Sequence, residues 1–472
     1  MPKQATRKPS LDSDPPANHR FAPAERRASL ALAGIYAFRM LGLFMILPVL
    51  PLVAPGYADY TPILVGLAIG IYGLTQALLQ IPFGALSDRL GRKPVIAFGL
   101  LVFALGSVVA ALADSLWGLV IGRAIQGGGA VAAVVLALTA DLTREEQRTK
   151  AMAIIGVSIG MSFIVSMVLG PVLGHWLGLA GIFWISAVLA LAGLVVLWRW
   201  VPAPTRRRFH RDTQATPGEL RDMLGDAALL RLDFGIFALH FVLTASFLVL
   251  PLLLRDHAAL PAERHWFVYL AVMVASLVVM VPALLIGERM QQIKAVFVGA
   301  VLFLAISELL LLNFNQSLAQ IMLCMVLFFA AFNTLEATLP SLVSKTAAPH
   351  KKGTALGVYS TSQFLGAFLG GALGGVLYQS FGATGVLLAC ACLLGLWLAI
   401  ALTMARPSAF VSTTVHVGRV STQEAGLVAE RLNGIAGVHE AVVIADEGVA
   451  YLKVDRRRLD ERALRAFSAA KA

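Results

Sequence analysis

Apolar runs long enough to cross a bilayer recur along almost the whole chain, and no other feature restricts its fold so strongly. A helix needs roughly 20 apolar residues to span the hydrocarbon core. Runs of that length fall near 29–52, 63–84, 94–113, 116–139, 151–177 and 179–201. Beyond a polar stretch they resume near 229–254, 265–287, 295–313, 316–341, 353–380 and 382–405. Only 14% of residues are charged and 58% are apolar, with a mean hydropathy of +0.78, whereas about a quarter of a soluble domain is charged. The chain therefore reads as an all-α membrane protein with twelve transmembrane helices. The first run is too long for a cleavable signal core and is expected to stay as a helix.

Basic residues set the orientation, because cytoplasmic loops collect Lys and Arg. One side receives Lys3, Arg7, Lys8, Arg20, Arg26 and Arg27, then Arg89, Arg92 and Lys93, then Arg144, Arg148 and Lys150. Five arginines of the central polar stretch follow on that side, with Arg289, Lys294, Lys345, Lys351 and Lys352 after them. The opposite loops hold only Arg255 and Arg264. Both termini are thus placed in the cytoplasm, and much of the net charge of +11 reflects topology and anionic lipid headgroups, not nucleic acid. Cys324, Cys390 and Cys392 all lie within apolar runs, with neither a disulfide framework nor metal-ligand spacing. The sequence carries no phosphate-binding loop, nucleophile elbow or metal cluster, so neither an enzyme nor a bound cofactor is expected.

The two sets of six spans repeat each other. Asp88-Arg89 follows span 2 and Glu288-Arg289 follows span 8; Gly156-Val157 opens a glycine-rich face in span 5 and Gly357-Val358 opens one in span 11. In the same alignment Gly170 meets Gly371 and Gly174 meets Gly375. Two such halves with a site between them are the pattern of a secondary transporter. The expected organisation is a cytoplasmic tail (1–28), a six-helix bundle (29–201), a cytoplasmic connector containing Arg206-Arg207-Arg208 (202–228), a second six-helix bundle (229–405) and a soluble C-terminal domain (406–472).

Between spans 2 and 3 stands Gly84-Ala85-Leu86-Ser87-Asp88-Arg89-Leu90-Gly91-Arg92-Lys93. An inside loop explains its basic residues, but topology does not require an acid and two glycines at this spacing. Glycine permits a tight turn at the membrane surface, and Asp88 can face Arg92 and a helix N-terminus. Leu41-Gly42 precedes Pro48-Val49-x-Pro51; Arg123-x-x-Gln126-Gly127-x-Gly129-Ala130 lies in span 4; Gly170-Pro171-x-x-Gly174 lies in span 5.

Together these motifs resemble those of the major facilitator superfamily, in particular its twelve-helix drug/proton antiporters, over residues 29–405. Span 5 departs from the antiporter pattern: Ser166 replaces one glycine and His175 the last. The resemblance implies the two-bundle fold of that family and a bacterial inner membrane. It also implies an inside lock of Gly84, Asp88, Arg89, Gly91, Arg92 and Lys93 with Asp141, which closes span 4, and a central cavity lined by spans 1, 4, 7 and 10.

Charged groups inside those spans are the cavity candidates, since a charge near the bilayer centre costs about 2.5–3.5 kcal/mol on insertion scales. Arg123, with Gln126 one turn on, lies in span 4, although it is near enough to a helix end to snorkel. Arg39 in span 1 is a similar candidate. Asn333 and Glu336 interrupt span 10, where a carboxyl can serve proton coupling or simply bond a carbonyl. His240 in span 7 is a further titratable group. Glu308 belongs to span 9, peripheral in the family. Gln76, Gln80, Tyr359 and Gln363 can hydrogen-bond a substrate or bridge helices.

Past Pro407 the chain changes character. Val415–Val420 alternates as a strand, Thr422–Leu432 is an amphipathic helix, and His439–Ala445 and Val449–Val454 are strands around Asp446-Glu447-Gly448. Leu459–Ala470 reads as a second helix. This βαββα order suggests a small α+β ferredoxin-like domain; it lacks a C-x-x-C loop, so soft-metal capture is not expected. The expected activity is proton-coupled antiport, exporting a small amphipathic solute by alternating access, with protons and lipid as further partners. A nutrient symporter or facilitator, and a sensor signalling through the C-terminal domain by intra- or intermolecular contact, are the rival readings.

Overall fold

The computed structural model describes residues 21–202, 225–348, 352–405, 411–418, 420–445, 448–455, 458–460 and 462–464. Residues 1–20, connector residues 203–224, the Asp446-Glu447 turn pair and most of the expected helix Leu459–Ala470 lie outside them.

Helix α1 (Pro23–Phe44) gives way at Met45–Val49 to a turn, then to the single turn α2 (Leu50–Val53). Pro48 and Pro51 explain the interruption, for proline lacks an N–H and crowds the preceding turn. Helix α3 (Pro62–Leu90) has Thr61 as its N-cap, the side chain accepting from the Leu64 N–H at 3.2 Å. α4 (Arg92–Ala111) follows without a loop. The motif read as a connecting loop is therefore helical as far as Leu90. One residue makes the turn: Gly91, at φ 101° and ψ 151°, a region almost closed to residues with a Cβ.

Span 4 is two helices, α5 (Leu116–Gly128) and α6 (Ala132–Asp141), not one. Its glycines are needed for close packing: a Cβ on Gly127 would strike the Tyr72 carbonyl and Thr75 hydroxyl, and one on Gly129 the Gly99 carbonyl. Helix α7 (Glu145–Arg199) contains spans 5 and 6, broken at Gly178 (φ 67°). The second half begins with α8 (Ala227–Asp256), α9 (His265–Arg289), α10 (Ile293–Asn313) and α11 (Leu318–Thr346). Helix α12 (Lys352–Leu402) holds spans 11 and 12, broken at Gly382 (φ 64°). Among the described residues ten helical spans are long and apolar enough to cross a membrane, and two of them, of 50 and 51 residues, are the broken helices.

The repeat extends to interactions that no motif displays. Lys93 at the start of α4 donates to the Val201 carbonyl at 2.8 Å, and Lys294 at the start of α10 donates to the Leu402 carbonyl at 3.0 Å. Both donor and acceptor are displaced by 201 residues between the halves. A cation on orphan C-terminal carbonyls is favourable in either place.

After the membrane part come strand β1 (Val411–His416), helix α13 (Thr422–Asn433), β2 (Val438–Ile444) and β3 (Val449–Val454). They form an antiparallel sheet ordered β1-β3-β2, with Val411 opposite Val454 and Ile444 opposite Val449. Val415, Leu432, Ile435, Ala441, Ala450, Leu452 and Val454 make its small core. Ser421 and Glu424 close a capping box at the start of α13.

Apolar packing between the halves is uneven. One core joins the whole second half to Met45–Ala54, Leu64–Ile69, Leu116–Val120 and Phe163–Met167 of the first. The rest of the first half, from Leu32 to Met40 with Val95–Leu100 and Val131–Leu138, packs as a separate core. The halves are thus sealed on the side of Ala54 and Leu116, while their cores part on the side of the N-terminus and Arg92.

Candidate functional site

On that parted side, Arg92 ties three helices of the first half together. Its Nη1 meets Asp88 Oδ1 at 2.6 Å and its Nε meets Asp141 Oδ2 at 3.2 Å. Asp141 is only 5% exposed, against 37% for Asp88. Gly91 provides the turn that brings Arg92 back over α3. Lys93 is committed to the end of α7, where it also lies 5.0 Å from the Trp198 ring. Arg89 and Gly84 belong to the last turns of α3, and a Cβ on Gly84 would meet nothing within 4 Å. A neighbouring pair had no local signal: the Arg144 backbone N–H, Nε and Nη2 all donate to Glu25 at 2.8–3.0 Å, across 119 residues of chain. The pairs named here join residues of the first half to each other, so they form without closure against the second.

Deeper in the first half lies a second polar group. Arg39, 1% exposed, donates from Nη2 to Tyr72 Oη at 2.8 Å and to Gln76 Oε1 at 3.1 Å. Arg123, fully buried, donates from Nε to the Ala68 carbonyl at 3.2 Å and from Nη1 to Gln126 Oε1 at 2.9 Å. Its guanidinium carbon stands 5.0 Å from the Tyr72 ring, a cation–π contact. Gln126 passes the chain on, donating to Ser107 Oγ at 2.6 Å. Arg123 does not snorkel: it is bound to α3 backbone, and Gln126 is its partner.

Opposite, in the second half, His240, Gln363 and Glu336 meet. Gln363 Nε2 lies 2.8 Å from His240 Nε2 and 3.4 Å from Glu336 Oε1, and the His240 and Glu336 side chains are 3.8 Å apart. The 2.8 Å contact needs an unprotonated His240 Nε2, which accepts from the amide. Glu336 is 34% exposed, against 11% for His240. Asn333 is drawn away, donating to Ser276 Oγ at 3.2 Å and tying α11 to α9.

The two groups face each other where α3 meets α12. Phe364, beside Gln363, packs on the cluster containing Tyr72 and Phe103. Gln80 donates to Thr361 Oγ1 at 2.8 Å across the same seam. The seam itself is backbone against backbone, with a Cβ on Gly375 falling 2.7 Å from the Pro62 carbonyl.

The glycines of the span 5 motif lie at close helix contacts. Gly170 lies against the Met45 carbonyl and Pro48, Gly174 against Val49, and Pro171 stands between them. His175, which replaces glycine in the family's pattern, reaches Glu263 of the second half at 3.5 Å. It lines a surface groove of about 380 Å³ with Val168, Val172, Trp176 and Trp266, on the sealed side and away from Glu336. Two buried acids lie elsewhere in the second half: Glu308, accepting from Ser246 Oγ at 2.7 Å, and Asp233, which the sequence reading passed over.

The described residues hold no cluster of three His, Cys, Asp or Glu fit for a metal. The family model of the Major Facilitator Superfamily matches residues 32–291 and 232–423. The chain is 46% identical over 441 residues to the inner membrane transport protein YajR of Escherichia coli, covering 93% of this chain and 96% of that one. It is 27% identical to the multidrug resistance protein MdtH of Aeromonas hydrophila, covering 72% and 85% of the two chains. A bacterial homologue of the human lysosomal transporter Spinster shares the fold, with a TM-score of 0.65 and 14% identity over 82% of this chain and 98% of that one. With its broken apolar helices, its doubled architecture and a polar seam between the halves, the chain belongs to the major facilitator superfamily, a family of membrane transporters and not of enzymes.

Proposed function

We propose that the protein is a proton-coupled exporter of a small amphipathic solute, working by alternating access. The observation that carries this reading is the His240–Gln363–Glu336 group at the seam. It sets a partly exposed carboxyl beside an imidazole, across from buried arginines of the other half. A carboxyl that is dry in one state and wet in the other takes up a proton in the first and gives it back in the second. The rocking units are the six-helix bundles 29–201 and 229–405, each broken pair counting as two crossings. The family likeness and the distribution of basic residues support placement in the inner membrane with both termini in the cytoplasm. The Asp88–Arg92–Asp141 group braces the first bundle on its cytoplasmic end and biases the equilibrium between the two openings. In that orientation the described state faces the cytoplasm. Residues 406–472 make a ferredoxin-like domain, for which the β1-β3-β2 order with α13 is the support, and its role is regulatory contact.

The test is flux in proteoliposomes with an imposed pH gradient. Glu336→Gln removes the exchangeable proton with little change in shape; dependence on the gradient is lost while solute exchange remains. Full gradient-driven transport by Glu336→Gln places the coupling elsewhere.

A further inference from the structure

The membrane interior is divided by sign. The arginines buried deep in the membrane, Arg39 and Arg123, belong to the first half, while the deep acids Asp233, Glu308 and Glu336 belong to the second. Among the described residues neither arginine pairs with a carboxylate: their partners are Tyr72, Gln76, Gln126 and backbone carbonyls of α3. A guanidinium keeps its charge under all ordinary conditions, so this half presents fixed positive charge with no protein anion against it.

The two arginines differ in what they have left to offer. Arg123 spends Nε and Nη1 on strong partners, and its Nη2 lies 3.5 Å from the Ile69 carbonyl. Arg39 spends only Nη2. Its Nε and Nη1 are buried and without a hydrogen-bond partner, and so is Gln76 Nε2 beside it. Unsatisfied buried donors are uncommon and call for a partner, and here three lie together on Arg39 and Gln76, within a turn or so of Gly73 and Gln80, which touch α12. All three are donors.

We propose that the transported solute carries an anionic, acceptor-rich group, a carboxylate, sulfonate or phosphate, and that Arg39 receives it with Gln76. This rests on the reading of the seam as the transport site. Burial keeps the solute's charge from being screened by water, and charge-assisted bonds to guanidinium are about twice as strong as neutral ones. Helix α1 supplies the cation and α3 the amide. Selectivity against cations follows from repulsion by Arg39 and Arg123 together.

The experiment measures equilibrium binding to the full-length protein in nanodiscs, at one pH and without a gradient. The probes are naphthoate, naphthylmethanol and naphthylmethylamine, which share a ring system and differ in the charge of the head. Wild type is expected to hold naphthoate at least about tenfold more tightly than the alcohol, and the amine most weakly. Arg39→Gln removes that preference, and Arg39→Lys, which keeps the charge but not the planar fork, retains part of it. Wild type holding naphthoate no more tightly than the alcohol overturns the proposal, and so does an unchanged preference in a folded Arg39→Gln. The wild-type series decides even where the variant does not fold. Because no proton gradient is involved, a failure of proton coupling leaves this result standing.

Discussion

Removing Asp141 should harm the first bundle more than removing Asp88, although Asp88 makes the shorter bond to Arg92. The distances are 2.6 Å to Asp88 and 3.2 Å to Asp141, which alone would rank Asp88 first. Burial reverses the order. Asp141 is 5% exposed and Arg92 8%, so Asp141→Asn leaves a guanidinium short of charge in a place water hardly reaches. Breaking a buried pair from one side costs about 3–5 kcal/mol. Arg92 keeps Asp88 and Ser87, which puts the expected loss at the lower end, about 3 kcal/mol. Asp88 is 37% exposed, so water takes over much of its role, and Asp88→Asn should cost at most about 1 kcal/mol. Thermal unfolding of both variants in the same detergent, with cysteine accessibility on the cytoplasmic side, measures the difference. An Asp88→Asn variant less stable than Asp141→Asn would refute the argument that burial outweighs distance here.

Further outcomes follow from other parts of the chain. Gly91→Ala forces a Cβ into the φ 101° turn and should cost about 1–3 kcal/mol in the unfolding of the first bundle; a neutral result would remove Gly91 as the reason α3 and α4 join without a loop. Asp59 accepts from the Leu116 and Trp117 backbone N–H groups at 2.6 and 3.1 Å, and the Leu116 bond first of all holds its carboxyl below the usual carboxylate range. A depressed carboxyl stabilises the fold above its unfolded-state pKa of about 3.9 and loses that contribution as pH falls through its folded value. Protection of the Leu116 amide, its exchange relative to the intrinsic rate at each pH, should therefore fall only in strong acid in wild type, and be reduced already at neutral pH in Asp59→Ala; equal protection in the two at neutral pH would contradict this. Gly375→Leu sets a side chain against the Pro62 carbonyl and should hold the sealed side open, read as periplasmic labelling of introduced cysteines. In the C-terminal domain, Ser421→Ala removes one arm of a capping box and should cost that domain about 1 kcal/mol in its own unfolding transition.

What could be read from the sequence was set by chain-local physics. Apolar length placed runs on each of the long helices, and the two longest helices break at Gly178 and Gly382, close to the expected junctions. The break in span 4 was not readable, because Gly127-Gly128-Gly129 suits close packing and chain interruption equally, and only Tyr72, Thr75 and Gly99 across the gap show that both occur. Reading Gly84–Lys93 as a loop failed for a related reason: a single glycine at positive φ reverses the chain, so the other nine residues stay in helices. Arg39, Arg123, His240 and Glu336 stood out as polar residues in apolar runs. Their partners did not. Gln363 lies 123 residues from His240 and Glu25 lies 119 from Arg144, and no local pattern connects such distances. The partners of Lys93 and Lys294 were not readable either, because each binds a backbone carbonyl, which leaves no side-chain signature.

The central claim is that solute and proton exchange through one seam. It is tested most directly by sealing a pH-sensitive dye inside proteoliposomes and adding solute outside, over a panel of amphipathic compounds. Antiport moves protons out of the lumen as solute enters, whichever way the protein is inserted. The account predicts a solute-dependent rise in lumenal pH in wild type and none in Glu336→Gln, which still exchanges solute. Solute entry with no change in lumenal pH, or with a fall, would contradict it.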